Sequence, residues 1–391
     1  MDTKQLYQQY IVGNYKRADV CFVSGQGSLL LDESGKEYID LGSGIAVNTL
    51  GIADEGWADA VAAQLRQLAH CSNLYYSRPQ AQLAEVLCRR TGLQKVFFSN
   101  SGAEANETMI KAARKYAADL HGDGVRPVII SLQNSFHGRT LAALAATGQP
   151  AYHRDFSPFP GGFCYAEPNN MESLRQRLEE NKGRCCAILL ELVQGEGGVL
   201  AMTAAFVAQA AALAREQGLL LLIDEVQTGN GRTGTLYAFE QYGIQPDILS
   251  TAKGLAGGLP LGATLFGEKT AQTLTPGSHG STFGGNPACA AAALYILGRL
   301  DEAFLAQVRQ KSERVRTRLA GLPGVVHLDG LGLMLGVKTR RPAAEVQAEC
   351  LAKGVVVLTA KDKIRLLPAL NIPGALLDRG LDVLAETMGR E

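Results

Sequence analysis

The sequence predicts an α/β fold, in which a large domain with a mostly parallel central sheet flanked by helices is joined to a smaller α+β domain. Up to about residue 285, short apolar runs alternate with helical patterns, which is typical of successive strand–helix–strand units. One run, LLLLID (219–224), is apolar at every position before its last, as a strand covered by helices on both faces must be. Beyond that point, long helical patterns precede several short strands.

Each element of the large domain follows from a local pattern. Near the N-terminus, VSGQGSLLLDESGKEYIDLG (23–42) resembles a hairpin, and we expect it to pack against the small domain. The predicted buried strands are KVFFSN (95–100), PVIISL (127–132), CCAILLELV (185–193), LLLLIDEV (219–226) and DILSTAK (247–253). Helices are predicted at AEANETMIKAARKYAADL (103–120) and at AFVAQAAALAREQG (205–218), where Gly218 ends the second.

The small domain is predicted from two helical patterns followed by short strands. The helices are PACAAAALYILGRL (287–300) and AFLAQVRQKSERVRTRLAGL (303–322); the strands are VVHLDG (325–330), LGLMLGVKT (331–339), GVVVLTA (354–360) and IRLLPAL (364–370). We therefore divide the chain into an N-terminal segment (1–46) that packs with the small domain, a large domain (47–284) and a small C-terminal domain (285–391).

Composition excludes several classes of protein. The 391 residues contain 38 basic and 38 acidic side chains, so no overall field attracts nucleic acid or an anionic membrane. Eight cysteines without a C-x-x-C motif suit reduced thiols in a cytosolic protein better than disulfides or a zinc site. The first residues are too polar for a signal peptide, and ACAAAALYIL (288–297) is too short to span a bilayer. We expect a cytoplasmic protein with no metal, nucleic-acid or membrane partner.

The segment LLLLIDEVQTGNGRTG (219–234) contains the pattern G-x-G-x-x-G at Gly229, Gly231 and Gly234, which is found in dinucleotide-binding folds. Its context does not support that interpretation, because the following TLYAFEQYGIQP (235–246) leaves little room for a crossover helix. An NAD enzyme is therefore a remote alternative. A tight turn after a buried strand explains the glycines better.

Asp224 and Glu225, which precede these glycines, would repel a pyrophosphate. Asp224 ends a buried strand, and open α/β sheets bind their ligands near the carboxyl ends of strands. The alternative is an exposed acid just past the sheet. The next predicted strand ends at Lys253, among small residues whose packing would lower the pKa of the amine.

An aspartate and a lysine at the ends of successive strands suit pyridoxal phosphate, which requires one group for its carbonyl and another for its pyridine nitrogen. An isolated lysine would more simply be a solvated surface charge. A phosphate site is predicted where a strand ends at Ser99–Asn100, the chain turns at residues 101–103 and a helix begins, since helix N-termini bind anions. The alternative is an ordinary serine-capped helix, with Glu104 in its first turn.

Six segments together resemble the class III pyridoxal-phosphate aminotransferases in order and spacing, and most closely their acetylornithine/ornithine branch. The segments are SNSGAEANETMIKAARKY (99–116), NSFHGRTLAALAATGQ (134–149), LVQGEGGV (192–199), LLIDEVQTGNGRTG (221–234), AKGLAGGLPLGA (252–263) and GSHGSTFGGNP (277–287). The resemblance extends from about Tyr10 to Pro373. It implies a fold-type-I enzyme with bound pyridoxal 5′-phosphate, normally a homodimer whose active sites lie at the subunit interface.

The resemblance also implies roles for residues that would contact the cofactor ring. Lys253 is similar to the family's Schiff-base lysine, which also shuttles the substrate proton. Asp224 is similar to the aspartate that keeps the pyridine nitrogen protonated, and Gln227 to the residue that hydrogen-bonds the phenolic oxygen. Phe136 matches the aromatic residue stacked on the ring. The neighbouring His137 is assigned a structural role near the cofactor and no catalytic one.

Phosphate and substrate contacts follow by the same resemblance. Ser101, Gly102 and Ala103 resemble the phosphate loop, and Thr282 resembles the threonine that reaches the phosphate of the neighbouring subunit.

Arg139 matches the arginine that holds the α-carboxylate of ornithine-like substrates, and it argues against a 4-aminobutyrate enzyme. Arg365 matches a second arginine, which binds the α-carboxylate of 2-oxoglutarate or glutamate. Glu196 resembles the glutamate that pairs with this second arginine in one half-reaction and releases it in the other. Such charges could otherwise be surface groups, but the surrounding motifs favour substrate recognition by guanidinium forks.

The activity that the resemblance implies is transfer of the terminal amino group of N2-acetyl-L-ornithine to 2-oxoglutarate. Related transaminases acting on ornithine, succinylornithine, succinyldiaminopimelate or 4-aminobutyrate are alternatives, as are an aminomutase or racemase of the same fold and a non-catalytic relative. The sequence departs from the family pattern at IADEGW (52–57), Asn230 and Ala288, none of which is an assigned catalytic residue.

Overall fold

The computed structural model describes residues 2–389 of the chain. The strands are β1 Phe22–Gln26, β2 Leu29–Asp32, β3 Glu37–Asp40, β4 Lys95–Ser99, β5 Val128–Leu132, β6 Phe163–Ala166, β7 Cys185–Glu191, β8 Val193–Gln194, β9 Leu200–Ala201, β10 Leu220–Asp224, β11 Ile248–Thr251, β12 Gly262–Phe266, β13 Val325–Leu331, β14 Met334–Thr339, β15 Val355–Val356, β16 Leu358–Ala360 and β17 Lys363–Leu366. The α-helices are α1 Thr3–Tyr10, α2 Ser43–Ala46, α3 Glu55–Gln67, α4 Arg78–Thr91, α5 Gly102–His121, α6 Leu141–Ala146, α7 Pro150–His153, α8 Met171–Glu180, α9 Ala204–Glu216, α10 Pro287–Arg299, α11 Glu302–Leu319, α12 Ala343–Ala352 and α13 Gly374–Met388; short 3₁₀ helices cover Ala238–Tyr242 and Lys253–Leu255.

A seven-stranded sheet in the order β4-β12-β11-β10-β7-β5-β6 forms the centre of the molecule. The pairs β11–β10, β10–β7, β7–β5 and β5–β6 are parallel, whereas β12 runs antiparallel to both of its neighbours. The predicted mostly parallel α/β sheet is therefore confirmed. The carboxyl ends of β7, β10 and β11 meet at one edge.

Strand β10 shows why the sequence predicted burial on both faces. Leu220 and Leu222 lie in one apolar cluster with Met109 of α5, and Leu221 and Ile223 lie in another that includes residues of α9. Alternate side chains of a strand point to opposite faces, so helices on both sides must cover these leucines.

The N-terminal strands form a three-stranded meander, one strand more than the predicted hairpin. Strand β3 also pairs in parallel with β15, which lies more than 300 residues further along the chain. Near the other predicted boundary, α10 packs against α3 and α4, and the Arg90 guanidinium of α4 donates to the carbonyl of Leu297 at 2.8 Å. The domain boundaries at 46/47 and 284/285 stay predictions.

Two strands of the central sheet, β6 and β12, were not predicted from the sequence. The first is short and follows the turn-forming FPGG, and the second begins at Gly262 inside a glycine-rich motif. Glycine is depleted in strands, so β12 has no strong strand pattern, whereas β6 has only four residues in which to show one. Between residues 2 and 389, no helix is long and apolar enough to cross a membrane.

Candidate active site

The candidate active site lies where β7, β10 and β11 end. Asp224 is the last residue of β10; in the sheet register it lies beside Glu191, the last residue of β7, and Ser250 of β11. Lys253 follows β11 after a single residue. Because parallel strands end at the same edge, three distant segments of the chain place polar groups together here.

Asp224 is buried, with 4% of its surface exposed, so the alternative of an exposed acid is wrong. Its Oδ2 accepts hydrogen bonds from Asn106 Nδ2 at 2.7 Å and from His137 Nδ1 at 2.8 Å, and its Oδ1 accepts one from the Val226 N–H at 3.0 Å. Burial lowers the pKa of His137, but the hydrogen bond that His137 donates to Asp224 and the charge of that carboxylate outweigh burial and raise this pKa overall.

Lys253 has a left-handed backbone conformation, with φ at +43°. Such strain persists only where neighbours hold the chain. Asn230 Nδ2 donates to Thr251 Oγ1 and to the Ala252 carbonyl, both at 3.0 Å, and Thr49 Oγ1 donates to the Gly254 carbonyl at 2.7 Å. Burial lowers the pKa of the lysine amine, which favours the neutral nucleophile.

Arg365 lies on β17 and is 3% exposed. Its Nη1 donates to Glu196 Oε1 at 2.5 Å and to Gln227 Oε1 at 3.3 Å. The charges of Glu196, Asp224 and Arg365 also act on the pKa of Lys253, which places all four groups in one electrostatic neighbourhood. The structure thus brings together the predicted groups for the cofactor ring and for the second carboxylate.

Glu191 is a buried site residue that the sequence prediction missed. Its Oε1 accepts from the Phe136 N–H at 2.8 Å and its Oε2 from the Gly195 N–H at 3.3 Å. Burial raises its pKa to about 7. The sequence predicts CCAILLELV only as a buried strand, although an acid at the end of such a strand is the same signal that selects Asp224.

Arg139 is exposed and lies over two aromatic rings. Its guanidinium carbon is 4.0 Å from the centroid of Tyr152 and 5.4 Å from that of Phe136, and these two rings meet edge to face at 5.9 Å. Sequence reasoning did not select Tyr152, because nothing in the sequence places α7 beside the loop that contains Arg139.

The predicted phosphate loop lies at the start of α5. Ser101 caps the helix by accepting from the Glu104 N–H at 3.2 Å, and the first N–H groups of a helix have no partner within it. A Cβ added to Gly102 would lie 2.6 Å from Val226 Cγ1. Glycine therefore allows this turn, which includes Ala103, to approach the end of β10. A serine cap does not exclude an anion site, so the two interpretations of this helix start are compatible.

Thr282 is the one predicted site residue that a single chain does not bring into this cluster. Its side chain is exposed. Its neighbour Ser281 accepts from Asn100 Nδ2 at 3.3 Å, so the loop lies near the phosphate turn without closing over it.

The site has the groups that pyridoxal 5′-phosphate requires. A half-buried lysine, a carboxylate held by three donors and a helix N-terminus made accessible by glycine lie together. In addition, His137 Nε2 and Arg365 Nε are buried without a hydrogen-bond partner among the described residues. Within residues 2–389, no cluster of three or more His, Cys, Asp or Glu side chains is arranged to hold a metal ion.

Two departures from the family pattern lie close to Lys253. Asn230 holds the residues just before it, as described above. In the IADEGW segment, Asp54 caps α3 by accepting from the Trp57 N–H, and Trp57 Nε1 donates to the Ala256 carbonyl at 3.1 Å. Both departures therefore support the loop that contains the lysine.

The family model for class-III aminotransferases matches residues 10–388. An acetylornithine aminotransferase of Haemophilus ducreyi is 49% identical over 98% of each chain, and a succinylornithine transaminase of Salmonella agona is 42% identical over 98% of this chain and 95% of its own. An ornithine aminotransferase structure from Toxoplasma gondii, described with partial occupancy of PLP at the active site, superposes with a TM-score of 0.92 at 27% identity over 99% of this chain and 93% of its own. The chain belongs to the class-III aminotransferase family and is a pyridoxal-phosphate-dependent aminotransferase.

Proposed function

We propose that the enzyme transfers the terminal amino group of N2-acetyl-L-ornithine to 2-oxoglutarate, giving N-acetylglutamate 5-semialdehyde and glutamate, as in arginine biosynthesis. The observation that supports this most strongly is the Glu196–Arg365 ion pair beside Lys253. Glu196 can either neutralise the Arg365 guanidinium or release it. Such an arginine suits an enzyme whose two substrates place different chemical groups beside it. The 49% identical relative named acetylornithine aminotransferase supports the choice of donor.

Lys253 and Asp224 would hold the cofactor ring, with Gln227 at its phenolic oxygen and Phe136 on its face. When bound, pyridoxal phosphate supplies a carbonyl for the amino group and a protonated ring that delocalises negative charge from the substrate carbon. Asp224 would keep the ring nitrogen protonated, since its carboxylate is buried and already fixed by donors. Lys253 Nζ would remove the proton from Cδ of the donor, because burial favours its neutral form.

The phosphate would bind at the N-terminus of α5, to Ser101, Gly102 and Ala103. Helix N-terminal N–H groups attract anions by geometry and by the helix dipole. Thr282 of a second copy would complete this site.

Carboxylates would be bound by the two arginines. Arg139, exposed and stacked on Tyr152, would hold the α-carboxylate of acetylornithine as a bidentate partner. During that half-reaction Glu196 would neutralise Arg365. In the second half-reaction Glu196 would release Arg365 to bind the α-carboxylate of 2-oxoglutarate.

A homodimer in the cytoplasm is part of this proposal. Leu74, Tyr75, Tyr76 and Phe283 are exposed apolar residues, and Tyr76 is fully exposed. Asn73, which precedes the first three, donates from Nδ2 to the Ser281 carbonyl at 2.9 Å, next to Thr282. Such groups on one surface mark an interface. All eight cysteines are free thiols, which supports a reducing compartment. Sedimentation analysis at micromolar concentration should give twice the chain mass, and a monomer would contradict the shared site.

A coupled assay with 2-oxoglutarate tests the donor. Acetylornithine should give the highest kcat/KM among acetylornithine, ornithine, succinylornithine, succinyldiaminopimelate and 4-aminobutyrate. A higher value for any other donor would contradict the proposed substrate. Succinylornithine is the second candidate, because the Salmonella agona relative is 42% identical. If 2-oxoglutarate fails to restore the aldehyde form of the cofactor, an aminomutase or racemase would be favoured instead.

A further inference from the structure

Asn106 lies in α5 behind the cofactor site and is 1% exposed. Its Nδ2 donates to Asp224 Oδ2 and to the His137 carbonyl, both at 2.7 Å, and its Oδ1 accepts from Ser250 Oγ at 2.6 Å. The orientation of the amide is therefore determined. A flipped amide would point its oxygen at two acceptors and its nitrogen at the serine.

This arrangement determines which oxygen of Asp224 is available. Oδ2 already accepts from Asn106 and from His137, whereas Oδ1 accepts only from the Val226 N–H among residues 2–389. A carboxylate oxygen has two lone-pair sites, so one site on Oδ1 remains for another donor. The two donors on Oδ2 also prevent the carboxylate from rotating.

We propose that Asn106 is a positioning residue that holds Asp224 so that Oδ1 can accept a hydrogen bond from the ring nitrogen of pyridoxal phosphate. The inference rests on the proposed role of Asp224. Asn106 connects three elements of the site, since it lies on the phosphate-binding helix, contacts the end of β10 and accepts from β11, the strand that leads to Lys253.

The test compares two cofactors on the full-length chain after its own cofactor has been removed: pyridoxal 5′-phosphate and its 1-deaza analogue, whose ring has a C–H in place of the nitrogen. Asn106→Ala should raise the dissociation constant of pyridoxal phosphate about tenfold, because hydrogen bonds to charged groups are among the stronger ones. The dissociation constant of the analogue should change by less than about twofold, because the analogue has no ring N–H for Asp224 to bind. An equal change for both compounds would overturn the proposal, since it would show a general packing role.

Three further variants make the result decisive. Ser250→Ala keeps the Asn106 amide but removes the hydroxyl that donates to it. It should weaken binding of pyridoxal phosphate less than Asn106→Ala does, and again without the same effect on the 1-deaza analogue. This variant decides the question if Asn106→Ala does not fold. Asn230→Ala is the matched control. Asn230 is also a buried asparagine bonded at the end of β11, but its Nδ2 donates to Thr251 Oγ1 and the Ala252 carbonyl and not to Asp224, so both dissociation constants should change by the same factor. Asp224→Ala should weaken binding of pyridoxal phosphate more than binding of the 1-deaza analogue. If it weakens both equally, the proposed role of Asp224 is wrong. If Asp224→Ala shows this difference but neither Asn106→Ala nor Ser250→Ala does, only the role of Asn106 is wrong.

Discussion

At the scale of single residues, Arg139 shows how an exposed cation can be held in place. Its guanidinium lies 4.0 Å from the Tyr152 ring centroid, within the distance of a cation–π contact. An arginine side chain that is already ordered loses less entropy when it binds a carboxylate. Tyr152 should therefore contribute to substrate affinity without touching the reacting atoms.

We predict that Tyr152→Leu raises the KM of the amino donor about two- to fivefold, since an exposed cation–π contact is worth about 0.5–1 kcal/mol. Steady-state kinetics with the donor varied would measure the effect. Tyr152→Phe keeps the ring and should behave as wild type. A fall in kcat with unchanged KM would show that the tyrosine acts in another way.

Removal of Glu196 from its pair with Arg365 should affect the two half-reactions differently. Glu196→Ala leaves Arg365 unpaired, and we expect the KM of the donor to rise about tenfold, because a buried charge without its partner binds any available carboxylate. The half-reaction with 2-oxoglutarate should change by less than about twofold, since Arg365 must be released there anyway. Single-turnover measurements of each half-reaction would test this, and equal losses in both would contradict it.

Individual site residues differed in how well the sequence predicted them. Asp224 ends a buried strand and Lys253 follows one after a single residue, and this local pattern predicts their place at the edge of the sheet. Glu191 ends β7 and has the same local signal. Asn106 contacts the site through helix packing, which is a tertiary relation that no segment shows by itself. Tyr152 belongs to the same group, because its partner lies in a loop that precedes α6.

At the scale of elements, the approach of α5 to the end of β10 depends on Gly102. A Cβ there would lie 2.6 Å from Val226 Cγ1, so the helix start would have to move. Overpacking of this kind costs about 1–3 kcal/mol. The N–H groups that we propose to bind the cofactor phosphate lie on the turn that would be displaced.

We predict that Gly102→Ala weakens binding of pyridoxal 5′-phosphate about tenfold, whereas binding of pyridoxal, which has no phosphate, weakens much less. Equilibrium titration with the two compounds would measure this. Gly298→Ala in α10 is the control: no atom lies within 4 Å of its added Cβ, and it should leave both affinities unchanged. Equal losses for the two compounds in Gly102→Ala would contradict a phosphate-binding role.

The elements that the sequence predicted are those with one dominant local pattern. Strands β7 and β10 have continuous apolar runs, and α5 and α9 have long helical patterns, so their propensity and their burial agree. The antiparallel strand β12 starts in a glycine-rich motif, and its identity depends on pairing with β4 and β11. Pairing partners that are distant in sequence leave little local signal.

At the scale of the whole molecule, buried acids should make stability depend on pH. Burial raises the pKa of Glu225 from 4.5 to about 7, although Phe239 N–H and Thr228 donate to its carboxyl group. The folded state therefore keeps a proton that the unfolded chain has lost. The contribution of this proton to the free energy of unfolding is fully present below pH 4.5 and is lost as the pH rises towards 7.

Glu225→Gln should accordingly reduce the fall in the free energy of unfolding between pH 5 and 7, by up to about 1.4 kcal/mol per pH unit. Urea denaturation across this range would measure the slope. Glu216→Gln, at an exposed position, is the control and should leave the slope unchanged. A wild-type slope in Glu225→Gln would show that this carboxyl group is ionised in the folded enzyme.

The central claim is that Lys253, strained, half-buried and held between Asn230 and Thr49, is the amine to which the cofactor is bound. Borohydride reduction of the yellow holoenzyme, followed by proteolysis and mass spectrometry, tests it directly. The phosphopyridoxyl group should be found on Lys253 alone, and Lys253→Ala should retain none. A labelled lysine elsewhere, or an unlabelled Lys253 in the active enzyme, would contradict the account.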